Sequence, residues 1–178
     1  MNLTININGK DFYLRSAKKE DAPTLLKWWN DGEIMAHAGF PLGLNTSISK
    51  IEQSIEKKSE NNQLLIMELD GIPFGEMNFK INDDIAEFGI KICNKNLHSK
   101  GIGKAFLTKL FEYLFNERNC NIIKCDTDLK NKGSQNFYEN KMNMRKVKII
   151  NNCFTNQIGE LCSAVLFEIT KEEFLNNK

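Results

Sequence analysis

Leu97-His98-Ser99-Lys100-Gly101-Ile102-Gly103-Lys104 runs straight into Ala105-Phe106-Leu107. From there Phe106, Leu107, Leu110, Phe111 and Leu114 recur at helical spacing. Two glycines one residue apart therefore stand at the start of an amphipathic helix. Glycine lets the backbone turn tightly and brings its N–H groups close to a ligand. The first turn of a helix leaves N–H groups without intrahelical partners and carries partial positive charge. Together these make a socket for phosphate oxygens, although a tight strand-to-helix turn with no ligand satisfies the same pattern. Two nucleotide-binding loops are excluded. The stretch is not GxxxxGK[ST], since Ala105 stands where the hydroxyl is needed, and Ala105-Phe106 follow Gly103 where GxGxxG needs a third glycine.

Upstream, Leu64 to Leu69 reads as a strand, and Asp70-Gly71 is a strong hairpin signal. Ile72 to Ile81 returns as the next strand, Asn82-Asp83-Asp84 turns, and Ile85 to Ile92 is the third strand of an antiparallel meander. Further back, Phe12 to Arg15 reads as a short strand. Lys19 to Pro23 opens a helix with Leu25, Leu26, Trp28 and Trp29 on its apolar side, ending near Asn30-Asp31-Gly32. Ala36 to Asn45, with Gly39, Pro41 and Gly43, reads as a loop. Thr46 or Ser47 caps a helix that shows Ile48, Ile51 and Ile55 on one face. Downstream of the glycines, Ile122 to Thr127 is a strand, Asn131 to Asn140 a helix and Met144 to Ile150 a strand. A turn over Asn151 to Gly159 leads to a last strand, Glu160 to Ile169, and a short helical end from Thr170. This is a mixed α/β pattern, antiparallel in its front half, with a crossover through the glycine-loop helix. No repeat, linker or low-complexity tract interrupts it, so residues 1–178 read as one domain.

A formal net charge of +1 over 178 residues gives no field suited to duplex nucleic acid or an anionic membrane. Met1 to Asn8 is polar, unlike a signal peptide, and no apolar run approaches the ~20 residues that span a bilayer. A cytoplasmic protein is expected. Five cysteines (Cys93, Cys120, Cys125, Cys153 and Cys162) form no CxxC pair, so free thiols are expected. With only His37 and His98, no metal site is expected.

In this setting Gly101-Ile102-Gly103 resembles the pyrophosphate loop of the GNAT superfamily of acyl-CoA-dependent N-acyltransferases, whose pattern is Gln/Arg-x-x-Gly-x-Gly/Ala. Here His98 stands at the first position. Asn131-Lys132-Gly133-Ser134-Gln135-Asn136-Phe137-Tyr138-Glu139-Asn140-Lys141-Met142-Asn143-Met144 resembles the family's Asn-x-x-Ser/Ala-x-x-x-Tyr-Glu-Lys-x-Gly-Phe. Asn143-Met144 replaces Gly-Phe there; asparagine tolerates the left-handed backbone and methionine fills an apolar position. Leu14-Arg15, Glu20-Asp21-Ala22 and Trp28-Trp29-Asn30-Asp31 resemble the branch of ribosomal-protein, spermidine and aminoglycoside 6'-type acetyltransferases. The resemblance implies a single-domain fold with a central mixed, mostly antiparallel twisted sheet and helices on both faces. It implies acetyl-CoA (coenzyme A) as cofactor and direct acetyl transfer to a primary amine of a small molecule or a protein N-terminus. No nucleic acid or membrane partner is expected, and a homodimer is compatible with exposed strand edges. An acyl-CoA-binding or regulatory protein that retains the fold without turnover is the alternative.

Acyl transfer needs an unprotonated amine, a polarised thioester carbonyl, alignment of the two, and a proton for the departing thiolate. By resemblance, backbone groups of Ile90, Lys91 and Ile92 contact the pantetheine arm and the acetyl carbonyl. The loop from His98, Ser99, Lys100 and Gly101 to Ile102, Gly103 and Lys104 holds the pyrophosphate. Asn131 and Ser134 hydrogen-bond the cofactor or a nearby water, or simply start a helix. Tyr138 is the candidate general acid, since a phenol of pKa ~10 holds its proton at neutral pH; an amphipathic tyrosine capping the core is the competing reading. Glu87, ahead of Asp126, is the candidate base or cation anchor, and either could be a solvated strand residue. Trp28, Trp29, Asp31, Glu33, His37 and Phe40 are candidates for acceptor contacts, the two tryptophans equally candidates for the core.

Overall fold

A computed structural model of the protein describes residues 1–177. Eight strands, β1 Asn2–Ile7, β2 Lys10–Ser16, β3 Asn62–Leu69, β4 Ile72–Asn82, β5 Ile85–Ile92, β6 Ile122–Asp128, β7 Arg145–Thr155 and β8 Leu161–Thr170, form one sheet. Their spatial order is β1-β2-β3-β4-β5-β6-β8-β7. All neighbours are antiparallel except β5 and β6, as the crossover through a helix requires. The helices are α1 Ala22–Trp29, α2 Gly32–Met35, α3 Ile48–Glu56, α4 Ile102–Asn116, α5 Lys132–Asn140 and α6 Lys171–Asn176.

Strand alternation divides the core in two. On one face β3 offers Leu64 and Ile66 to Ala22 and Leu25 of α1 and Ile51 of α3. On the other, Leu65, Met77, Phe79, Ala86 and Phe88 meet α4, which buries Phe106, Leu107, Leu110 and Phe111. Tyr138 of α5 and Phe174 of α6 close that larger core.

The meander, both of its turns and the crossover lie where the sequence puts them. Asp70 and Gly71 take φ of 52° and 74°, the paired left-handed residues of a two-residue hairpin. Ser47 caps α3 through Lys50 N–H, and Asn143 takes the expected left-handed backbone with φ 52°. One strand lies outside the sequence reading, and two expectations need correction. The polar start of the chain is strand β1, whose Ile5 is buried under the main core. Part of Ala36 to Asn45 is not loop, since Ala36–Ala38 forms a 3-10 turn after the short α2. The turn expected from Asn151 begins only after Thr155. Asn151-Asn152 marks a bulge instead: Asn152 has φ 50° and its N–H bonds the Ser163 hydroxyl at 3.0 Å, while the ladder shifts register between Ile150 and Phe154.

Candidate active site

β5 and β6 pair only over Ile85–Glu87 and Ile122–Lys124, then part. β6 continues along β8 as far as Asp128, and β5 continues along β4 as far as Ile92. From Phe88 to Ile92, β5 thus has a strand on one edge only. Because peptide groups alternate between the two edges of a strand, the other edge presents N–H and C=O groups to the gap. Ile90, Lys91 and Ile92 all lie on this open segment.

The glycine loop adjoins its end. Ser99 and Gly101 have φ of 59° and 76°, and Gly101 is the residue before α4. A side chain on Gly101 would meet no atom within 4 Å, so glycine is needed there for its backbone conformation alone. The first helical bond runs from Ala105 N–H to the Gly101 carbonyl. Among the described residues, none accepts from the N–H groups of Ser99, Lys100, Gly101, Ile102, Gly103 or Lys104. Lys100 and Lys104 are exposed beside them and carry no carboxylate partner among the described residues. The His98 ring is engaged by the open strand, its Nε2 donating to the Ile92 carbonyl at 2.7 Å. That bond ties the loop to the end of the open strand.

On the face of the sheet that carries α1 and α3, a cleft of about 440 Å³ opens over the parting strands. Phe88 and Cys125, the first residues beyond the last β5–β6 pair, form part of its lining, with Asn78, Glu87 and Asp126. Glu87 is shared with Lys124 at 3.1 Å. Asp126 is exposed and has no ion-pair partner among the described residues. A side chain on Gly89 would strike the Asn78 amide at 2.8 Å, so Asn78 lies directly over the open strand. Tyr138 approaches from the opposite face, packed against Phe88, Phe137 and Phe167. Its hydroxyl faces Cys125. Burial first, then Cys125 and Asp126, pushes the phenol well above its usual range, and burial does the same to the Cys125 thiol.

The remaining sequence candidates divide between the gap and the scaffold. Asn131 caps α5, its side-chain oxygen accepting from Ser134 N–H at 3.1 Å. Trp28 and Trp29 pack into the smaller core. Asp31 caps α2, Glu33 pairs with Lys95 on the surface, and His37 and Phe40 are exposed.

Three further residues organise the site without any signal in the sequence. Glu76 is 2% exposed and accepts from Trp29 Nε1 at 2.8 Å and from Lys91 Nζ at 2.7 Å. It thereby joins α1 to β4 and to the open strand. Gln135, also buried, donates to the Leu129 carbonyl at 2.8 Å and holds the turn that leads into α5. Gln157, in the β7–β8 turn, clasps the loop after α2. Its side chain accepts from Leu42 N–H at 2.9 Å and donates to the Gly43 carbonyl at 2.8 Å, and its own N–H donates to the Gly39 carbonyl at 2.9 Å. Single polar residues leave no periodic trace, and Gln157 is paired across more than a hundred positions. Only the strand pattern around Glu76, an acid amid buried neighbours, marks it as unusual.

Comparison with known proteins agrees with this geometry. The family model described as acetyltransferase (GNAT) domain matches residues 11–141. Spermidine N-acetyltransferase from Vibrio cholerae, solved in complex with CoA and spermine, superposes with a TM-score of 0.82 at 19% identity, covering 93% of this chain and 98% of that one. A GNAT acetyltransferase from Bacillus anthracis gives 0.76 at 18% identity over 96% and 100% of the two chains. One from Streptococcus pneumoniae gives 0.74 at 17% over 89% and 99%. Parted parallel strands, a glycine-bracketed socket at a helix start and a family match over most of the chain coincide. This chain belongs to the GNAT acetyltransferases.

Proposed function

We propose that this chain is an acetyl-CoA-dependent N-acetyltransferase that moves the acetyl group directly from thioester to primary amine. The open β5 edge, running into a socket of unpartnered N–H groups, is the observation that carries this reading. An extended arm with amide groups fits the edge as a missing strand would, and a pyrophosphate fits the socket between Lys100 and Lys104. When bound, the cofactor supplies an activated acetyl ester of a thiol. That a structurally similar acetyltransferase was solved with CoA and spermine supports both the cofactor and an amine acceptor.

The protein's own groups then have defined tasks. Backbone N–H groups of Ile90 to Ile92 align the arm and polarise the acetyl carbonyl. Asp126 or Glu87 accepts the proton released as the N–C bond forms, directly or through water. Tyr138, kept neutral by burial, donates a proton to the sulfur as the C–S bond breaks. A covalent acyl-cysteine route finds no support. Burial and the nearby Glu76 charge push the Cys93 thiol up to about 12, and burial raises Cys125 too, so neither forms the thiolate a nucleophile needs.

The test is release of free thiol from acetyl-CoA across a panel of primary amines, with CoA binding measured separately by calorimetry. Tyr138→Phe should lower kcat by about 100-fold while CoA affinity is retained. CoA binding without turnover on any amine would favour a non-catalytic binding protein, and absence of CoA binding would sink both readings.

A further inference from the structure

Resting on that reading, the charges around the cleft bear on the acceptor itself. Register places Asn62, Lys80, Glu87, Lys124 and Glu168 side by side in one row across five strands, on the face that carries the cleft. The acids of the row are largely matched: Glu87 with Lys124 at 3.1 Å and Glu168 with Arg145 at 2.6 Å. Lys80 has no carboxylate partner among the described residues. At Asn62 the cleft meets a second hollow, of about 390 Å³, lined by Lys50, Lys57 and Lys58 on and after α3.

Lys58 is half-buried, and the polar contact of its ammonium is Asn62 Oδ1 at 3.2 Å. Burial pulls its pKa down, with the Glu76 charge opposing, but Glu76 is already engaged by Lys91 and Trp29. An anion beside Lys58 would relieve that cost. Counted over both hollows and among the described residues, Lys50, Lys57, Lys58 and Lys80 have no ion-pair partner, against one such carboxylate, Asp126. A polyamine entering here would place its second and third charges among like charges.

We propose that the acceptor is a primary amine carrying a carboxylate or phosphate, which Lys80 and Lys58 receive while the amine lies over the parting of β5 and β6. Lys80 stands one strand across and two residues along from Gly89, a backbone separation of roughly 8 Å that an acceptor of a few carbons spans. The similar spermidine acetyltransferase was solved with spermine, a polycation; here the cleft itself is charge-balanced, and the adjoining hollow of Lys50, Lys57 and Lys58 adds the lysine excess that disfavours one.

The experiment compares amines of equal chain length, hexylamine, aminohexanoate, aminohexyl phosphate and diaminohexane, together with spermidine. Thiol release and calorimetric binding to the CoA-saturated protein are both read. Aminohexanoate or aminohexyl phosphate should exceed diaminohexane and spermidine by about tenfold or more in kcat/KM or affinity, and the better of the two identifies the anion. Lys80→Glu combined with Lys58→Glu should reverse the order, and Lys80→Gln should raise KM for the anionic amine more than it lowers kcat. Equal or better use of the polyamines overturns the proposal, as does an order that the lysine variants leave unchanged or failure of every amine to bind the CoA-loaded protein. Failure to bind CoA at all would instead overturn the transferase reading.

Discussion

Gly101 and Gly103 look interchangeable in the sequence, yet they do different work. Gly101 adopts φ 76° in open space, and Gly103 is helical, with its missing side chain aimed at Phe137 and Ile92 from 3.4 and 3.5 Å. Gly101→Ala should therefore cost about 1 kcal/mol in urea unfolding, through the backbone alone. Gly103→Ala should be neutral or slightly stabilising, because alanine favours the helix and meets ordinary contacts. Arg15 and Asp21 make a second residue-scale case. The guanidinium forks onto the carboxylate at 2.7 and 2.8 Å and also reaches Glu68 at 2.6 Å. Burial works to raise the Asp21 carboxyl, but the Arg15 bonds and the Lys18 N–H outweigh it and leave its pKa below the usual value. A lowered folded pKa gives stability that is present above the unfolded value and lost as pH falls through the folded one. Asp21→Asn should thus be less stable than the parent at neutral pH, with the gap narrowing only as pH falls below the ordinary carboxylate pKa of ~3.9, as urea midpoints would show. The sequence showed Arg15 and Asp21 as a motif; it could not show that they are each other's partners.

Between elements, the Trp29–Glu76–Lys91 group fastens α1 to the sheet beside the open strand. Removing one member of a buried charged group leaves the rest uncompensated, so Glu76→Ala should lose about 3 kcal/mol of unfolding free energy. Glu76→Gln should lose less, because it still accepts from Trp29. Differential calorimetry of the two variants separates the charge from the hydrogen bond. Elements themselves were legible wherever a period ran unbroken: the β3–β5 meander, the apolar stripe of α4, the Ser47-capped α3. Legibility failed where one residue type serves two ends. Asn151-Asn152 satisfies a turn and a bulge alike, and only pairing with β8 decides for the bulge. β1, by contrast, follows the rule of the unbroken period, since Asn2, Thr4 and Asn6 alternate with Leu3, Ile5 and Ile7 and left-handed Asn8-Gly9 turns the chain into β2.

At the scale of the whole chain, the gap between β5 and β6 could not be read from the sequence, because it is an absence of pairing between two strands that each look complete. What the sequence carried was the loop and the helix that flank it. The two half-sheets, β1–β5 and β6–β8, share only the ladder from Ile85 to Glu87. Mechanically, the sheet is two plates joined by a short weld, with α4 and the aromatic core as the strap across one side. A ligand that hydrogen-bonds along Phe88–Ile92 lengthens that weld. Amide hydrogen exchange should therefore slow along Phe88–Ile92 and at Ser99 to Lys104 when CoA is added, with little change in β1 and β2. If the slowing instead spread evenly over the molecule, the arm would not be acting as the missing strand. If CoA lies along that edge as proposed, the protein is stiffest with it in place, and the two half-sheets are braced by the very molecule they hold.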